Sequence, residues 1–205
     1  MPQLTSGLRS ILSNPFVYDT LQNLMGARKG RSEFVRKYIT PVPGVRILDI
    51  GCGTGRILDH LPNVIYYGFD LSNDYINAAQ RRYGSTGNFY CAAIEHNTLA
   101  KLEPFDIVIA TGVLHHLGDE EAKSLFDLAY LSLKKGGRFI TKDPCFSPEQ
   151  NRIARFLVNQ DRGQNVRTPD GYRHIATSVF PKPIGKIRHR TWVPYTHWIM
   201  ECTKD

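Results

Sequence analysis

Residues 46–59 read RILDIGCGTGRILD. An apolar run closes on a carboxylate, Asp49, and Gly51, Gly53 and Gly55 crowd into the next positions before an amphipathic pattern begins. Glycine has no Cβ, so a turn of this kind reaches positive φ and lets a ligand approach the backbone closely. The spacing is G-x-G-x-G. A dinucleotide fingerprint needs its third glycine at 56, where the chain has Arg56, and no Gly-Lys-Ser/Thr closes a phosphate-binding loop. Asp49 at the strand end would repel a pyrophosphate but pair with a cationic amino group. Asp70 ends the second apolar run about 20 residues on, where a carboxylate accepts hydrogen bonds from ribose hydroxyls. The ligand that fits both acids carries a ribose and an ammonium-bearing tail, and no phosphate.

The elements needed to hold these residues follow from the pattern. VRILDI, VIYYGFDL, NFYCAAI, FDIVIATGVL and GRFITKDP read as strands. TGRILDHL, SNDYINAAQRRYG with a Ser72 cap and Gly84 stop, and DEEAKSLFDLAYLSLKKGG read as the helices between them. This alternation predicts an α/β doubly wound parallel sheet with helices on both faces. Ahead of it, residues 1–40 read as a helical lead-in, with a stop at Gly26 and a new start capped by Ser32. Behind it, residues 146–181 read as two helices around a polar loop, and 182–205 as a closing pair of strands. One domain over 1–205 accounts for the whole.

Composition supports that view. The chain has 205 residues, 41% hydrophobic and 22% charged, enough for one packed core. No apolar run approaches the roughly 18 residues of a membrane helix, and the opening MPQLTSGLRSILSNPF lacks the basic and apolar regions of a signal peptide. A cytoplasmic location is the expectation. Cys52, Cys91, Cys145 and Cys202 are too scattered for a zinc motif, and no carboxylate cluster predicts a metal. The formal net charge of +7 suits a nucleic acid, a small anionic substrate or plain solubility. The sequence carries no signal of oligomeric state.

The four segments VRILDIGCGTGRIL, YYGFDLS, FDIVIATGVLHHL and LKKGGRFITKDP, in that order, resemble the successive motifs of the class I S-adenosylmethionine-dependent methyltransferases across residues 44–145. S-adenosylmethionine is also the ligand that the two acids demand. The resemblance implies a Rossmann-like sheet of seven strands, mostly parallel, with an antiparallel last strand beside the fifth. It assigns Asp49, Gly51, Cys52, Gly53 and Gly55 to the methionine part, Asp70 to the ribose, and Leu71 and Ile94 to adenine. Thr111 and Gly112 would offer carbonyls to the amino group, and Tyr18 would close over the cofactor. Many relatives carry an acid where this chain has Ala92-Ala93, so that adenine contact is missing; Glu95 substitutes only if the register slips.

Methyl transfer from a sulfonium is an in-line displacement, driven mainly by holding the acceptor close and aligned. For a hydroxyl acceptor, His115 or His116 is the candidate base, against a competing role in capping or packing. The polar stretch NQDRGQNVR offers Arg162, Asn165 and Arg167 to a polar, even anionic, acceptor, unless it is a solvated loop. Tyr195 shares a strand face with His197, opposite Trp198, and is a further substrate candidate. The expected function is transfer of a methyl group from S-adenosylmethionine, releasing S-adenosylhomocysteine, to a hydroxyl or amine of a small metabolite such as a sugar, lipid precursor or secondary metabolite. RNA or protein methylation and a non-catalytic binding module are the alternatives.

Overall fold

The computed structural model describes residues 26–161, 163–190 and 194–205. These form a seven-stranded sheet in the order β3-β2-β1-β4-β5-β7-β6. The strands are β1 (Arg46–Ile50), β2 (Ile65–Asp70), β3 (Asn88–Cys91), β4 (Phe105–Thr111), β5 (Leu133–Pro144), β6 (Ile184–Arg190) and β7 (Tyr195–Thr203). β1 and β3 pair parallel to β2, β5 pairs parallel to β4, and β7 runs antiparallel between β5 and β6. The doubly wound sheet with an antiparallel last strand is thus present. By contacts the chain divides into two compact units, with the boundary between Ile94 and Glu95.

In the first unit, α1 (Ala27–Phe34) continues into a short π-helical turn, Val35–Ile39. Gly26 is the N-cap of α1, in the left-handed region at φ 76°, and Ser32, expected to cap a helix, lies inside α1. The expected helix at TGRILDHL is a five-residue 3-10 turn, Arg56–His60, which buries Ile57 and Leu58. α2 (Asn73–Tyr83) starts as expected, with Ser72 Oγ accepting from the Tyr75 N–H at 3.3 Å. β3 stops at Cys91, and Ala92 and Ala93 are exposed. The expected lead-in helix before Gly26, with Tyr18, lies outside the described residues.

In the second unit, α3 (His96–Leu99) precedes β4, and α4 (Asp119–Ser132) carries Asp119, Glu120 and Glu121 in its first turn, where acids complement the helix dipole. The Lys-Lys-Gly-Gly sequence lies within β5 rather than at a helix end. Gly136 adopts φ 75° and donates to Lys204 O at 2.8 Å, and the β4 register shifts between Phe105 and Ile107. α5 (Arg152–Asn159) and α6 (Pro169–Thr177) are the two helices expected after β5. No described helix is long and apolar enough to cross a membrane.

Two glycines of the turn after β1 differ in what a side chain would meet. A Cβ at Gly55 (φ 69°) would lie 2.8 Å from the Phe89 ring, whereas one at Gly53 (φ 55°) would meet nothing within 4 Å. Gly53→Ala is expected to lose about 1 kcal/mol, the backbone penalty alone. Gly55→Ala adds overpacking and should lose about 2–3 kcal/mol in urea unfolding.

Candidate functional site

The chemistry-bearing residues fall in two clusters, one within each compact unit. In the first, the chain leaves β1 and returns its own backbone to β2: the N–H groups of Gly51 and Cys52 both donate to Phe69 O, at 2.8 and 3.0 Å. Gly51, Gly53 and Gly55 all take positive φ. Asp70 braces this turn, Oδ2 accepting from the Gly53 N–H at 2.9 Å and Oδ1 from the Ser72 N–H at 2.8 Å. Each oxygen then keeps one lone pair for a ligand hydroxyl.

Asp49 sits beneath the turn and is 2% exposed. Its Oδ2 accepts a 2.5 Å hydrogen bond from the Tyr66 hydroxyl, while its Oδ1 is buried with no partner. Burial pushes this carboxyl up to about 7, against the Tyr66 hydrogen bond, and Asp70 adds repulsion. An uncompensated buried carboxylate oxygen is costly alone and well suited to a cation. Cys52 Sγ donates to Gly53 O at 3.6 Å, and burial beside Asp49 and Asp70 raises its thiol and keeps it protonated. Gly68 makes room for it, since a Cβ there would lie 2.8 Å from that sulfur. Leu71 is 57% exposed next to Asp70, and Ile94 is half-buried. These residues fit an S-adenosyl ligand: an unpartnered anion for the ammonium, a braced carboxylate for the ribose, and an apolar side chain beside it.

The second cluster is built around His115, 5% exposed after β4. Its Nδ1 lies 2.8 Å from Asp143 Oδ1 and its Nε2 lies 3.1 Å from Asp161 Oδ1. Burial opposes the charged ring, but the two carboxylates win and raise it to about 9. At neutral pH it is an imidazolium with both N–H groups committed, so it has no lone pair with which to accept a proton. The base role expected of His115 gives way to a bridge between the end of β5 and the loop after α5. Asp161 also accepts from the Gly163 N–H at 3.0 Å and from the Tyr195 hydroxyl, and these bonds with His115 hold its carboxyl well below the ordinary range. His116 packs its ring 4.1 Å from that of His115.

The polar stretch expected to recognise substrate straps this turn in place. A Cβ on Gly163 would fall 2.1 Å from the His115 ring, the Asn165 N–H donates to His115 O at 2.9 Å, and Arg167 closes the strap. Its Nε and one Nη reach Asp119, the same Nη reaches Leu117 O, and the other Nη donates to Leu114 O and Asn165 O. All five guanidinium N–H donors are thereby engaged. The bidentate partner foreseen for Arg167 is Asp119 of the same chain, not a substrate. Arg162 lies outside the described residues. Thr111 pairs with Lys142 at the end of β4, and Gly112 takes φ 72° and donates to Lys142 O at 2.8 Å.

Sequence reasoning missed Tyr66, Asp143 and, as a histidine partner, Asp161. Nothing in YYGFDL separates Tyr66 from Tyr67 except strand alternation with Asp49. Asp143 was signalled only as an acid in an otherwise apolar strand end.

A methyltransferase domain family model matches residues 48–139. An uncharacterized methyltransferase of Anoxybacillus flavithermus is 24% identical over 184 residues, 84% of this chain and 84% of that protein. Phosphoethanolamine N-methyltransferase 1 of Arabidopsis thaliana is 30% identical over 154 residues, 72% of this chain but 30% of the relative's length. Among solved structures, a plantazolicin methyltransferase in complex with a monoazolic analogue and SAH superposes over 96% of this chain and 90% of its own, with a TM-score of 0.63 at 17% identity. That likeness is one of fold.

The two buried ionisable groups titrate in separate windows. Asp49 is raised from 3.8 to about 7, so its neutral form is favoured on folding; the stability this gives is full below pH 3.8 and lost as pH rises through about 7. Asp49→Asn should therefore unfold at higher urea than wild type at pH 8, with the difference vanishing toward pH 4. His115 is raised from 6.5 to about 9, so its contribution is full below pH 6.5 and lost through about pH 9. His115→Asn should be destabilised most at pH 6, and its gap to wild type should narrow by pH 9.5.

Proposed function

Because the chain belongs to the class I S-adenosylmethionine-dependent methyltransferases, we propose that it transfers a methyl group to a hydroxyl or amine of a small polar metabolite. The observation that carries this reading is the pair of acids at the glycine turn, Asp49 with a buried, unpartnered Oδ1 and Asp70 held by two backbone N–H groups. When bound, S-adenosylmethionine supplies a methyl activated by its sulfonium, so the task left to the protein is binding and alignment. Asp49 pairs with the ammonium and Asp70 accepts from the ribose hydroxyls. Leu71 and Ile94 give adenine apolar contact, because Ala92 and Ala93 offer no acid.

His115 acts as a positioning residue, fixing the turn after β4 through Asp143 and Asp161. His116 is the side chain that takes a proton from a hydroxyl acceptor; an amine acceptor, bound neutral, needs none during transfer. The relative named phosphoethanolamine N-methyltransferase 1, at 30% identity, supports a small acceptor.

Calorimetric titration with S-adenosylmethionine and S-adenosylhomocysteine tests the reading. Wild type should bind both at micromolar concentrations, and Asp70→Ala should weaken them at least tenfold, about 1.4 kcal/mol. Asp74→Ala, in the first turn of α2, should leave affinity unchanged. No binding by wild type would overturn the enzyme reading.

A further inference from the structure

The net charge of +7 is concentrated in part at one helix: residues 27–37 read ARKGRSEFVRK, five cations against the single acid Glu33. Two of the five are occupied. Lys37 pairs with Glu33 at 2.9 Å, and Arg31 is half-buried and engaged within the chain. Arg28, Lys29 and Arg36 are exposed, and among the described residues none of the three makes an ion pair or a hydrogen bond.

Helical geometry gathers these three together. At about 100° per residue, Arg28, Lys29, Ser32 and Arg36 fall on one side of α1 and its π-helical continuation, opposite the buried Ala27 and Phe34. The positive field extends to the 3-10 turn against which α1 packs. There the His60 ring is pushed below the ordinary imidazole range by burial and by the charges of Arg31 and Arg28, against the pull of Asp59. The face is therefore a stripe of cations around one hydroxyl, with no acid left free to neutralise it.

The composition of the stripe selects its partner. A helix that rests in a bilayer interface needs an apolar face to insert, but Phe34, Val35 and Ile39 are buried and no large apolar side chain of this helix is exposed. A single-stranded nucleic acid is held by stacking its bases on exposed rings, and none stands on this face. Arginine, lysine and serine are the side chains that contact phosphate oxygens. From Arg28 to Arg36 the face runs about 12 Å at 1.5 Å per residue, the length of about three or four phosphates along one duplex strand.

We propose that the exposed face of α1, formed by Arg28, Lys29, Ser32 and Arg36, docks on the phosphate backbone of a double-stranded nucleic acid without reading its sequence. This surface goes beyond the methyltransferase reading and does not depend on it. Its residues lie outside the glycine turn and the two acids assigned to the cofactor.

The probes are a DNA and an RNA duplex of arbitrary sequence and about 16 base pairs, titrated over a range of salt concentrations. Wild type should bind both, with a slope of log affinity against log salt of about −2.7, or 0.9 for each of three cations. The triple variant Arg28→Gln/Lys29→Gln/Arg36→Gln should bind at least about tenfold more weakly at low salt and lose most of that slope. Lys101→Gln/Lys123→Gln/Lys182→Gln removes the same charge from exposed positions elsewhere and should change affinity less than about twofold. Both variants should keep the wild-type circular dichroism and affinity for S-adenosylhomocysteine. Failure of wild type to bind either duplex would overturn the proposal, as would equal losses in the two triple variants, which would make the binding an effect of net charge alone. Capture by vesicles of phosphatidylserine and phosphatidylcholine in equal parts, abolished in the α1 variant and seen without duplex binding, would assign the face to a lipid surface instead.

Discussion

The carboxylate of Asp49 is buried, bonded on one oxygen by Tyr66 and unpartnered on the other. That imbalance is the constraint on which the first unit depends. Tyr66, the second residue of β2, reaches the acid from the neighbouring strand, so the pairing of β1 with β2 fixes where the negative charge sits. The turn above it is then held from outside by Asp70, through Gly53 and Ser72. A ligand cation relieves the desolvated oxygen, and folding alone does not. On the proposed reading, the free protein carries the cost of this desolvated oxygen until the ammonium of the ligand meets it.

The second unit solves the opposite problem. His115 is as buried as Asp49, but two carboxylates face it, and a buried charge so paired is stable only while both partners stay in place. The loop after α5 supplies the second partner, and Arg167 locks that loop to Asp119 and three carbonyls. A stretch with the composition of a solvated loop is therefore a strap. Tyr195, donating to Asp161, ties the start of β7 into the same network.

Much of this was legible in the sequence because it depends on period and local chemistry. Strand alternation, the Ser72 cap and the glycine spacing are local signals, and the antiparallel last strand beside the fifth followed from the family resemblance that those motifs carried. The misses share a different cause. Gly136 adopts positive φ inside β5, where the glycine freedom that can end a helix bulges a strand instead. The 3-10 turn at Arg56–His60 follows Gly55, whose left-handed φ of 69° sets the chain's entry, a feature that apolar periodicity does not encode. His115 looked like a base because its type and place suit one, and only the distant Asp143 and Asp161, 28 and 46 residues on, decide otherwise. Arg167 was misread for the same reason: its partners Leu114, Leu117 and Asp119 are about 50 residues away.

The measurement closest to the central claim is the ionisation of Asp49 itself, followed by the 13C shift of its carboxyl through a pH titration with and without saturating S-adenosylhomocysteine. In the free protein the carboxyl should titrate near the value of about 7 that its burial dictates. With the ligand bound, its ammonium should pull the midpoint below that of the free protein by more than one unit, as an opposite charge in contact does. A midpoint that S-adenosylhomocysteine leaves in place would contradict the account, because the ammonium would then have its partner elsewhere.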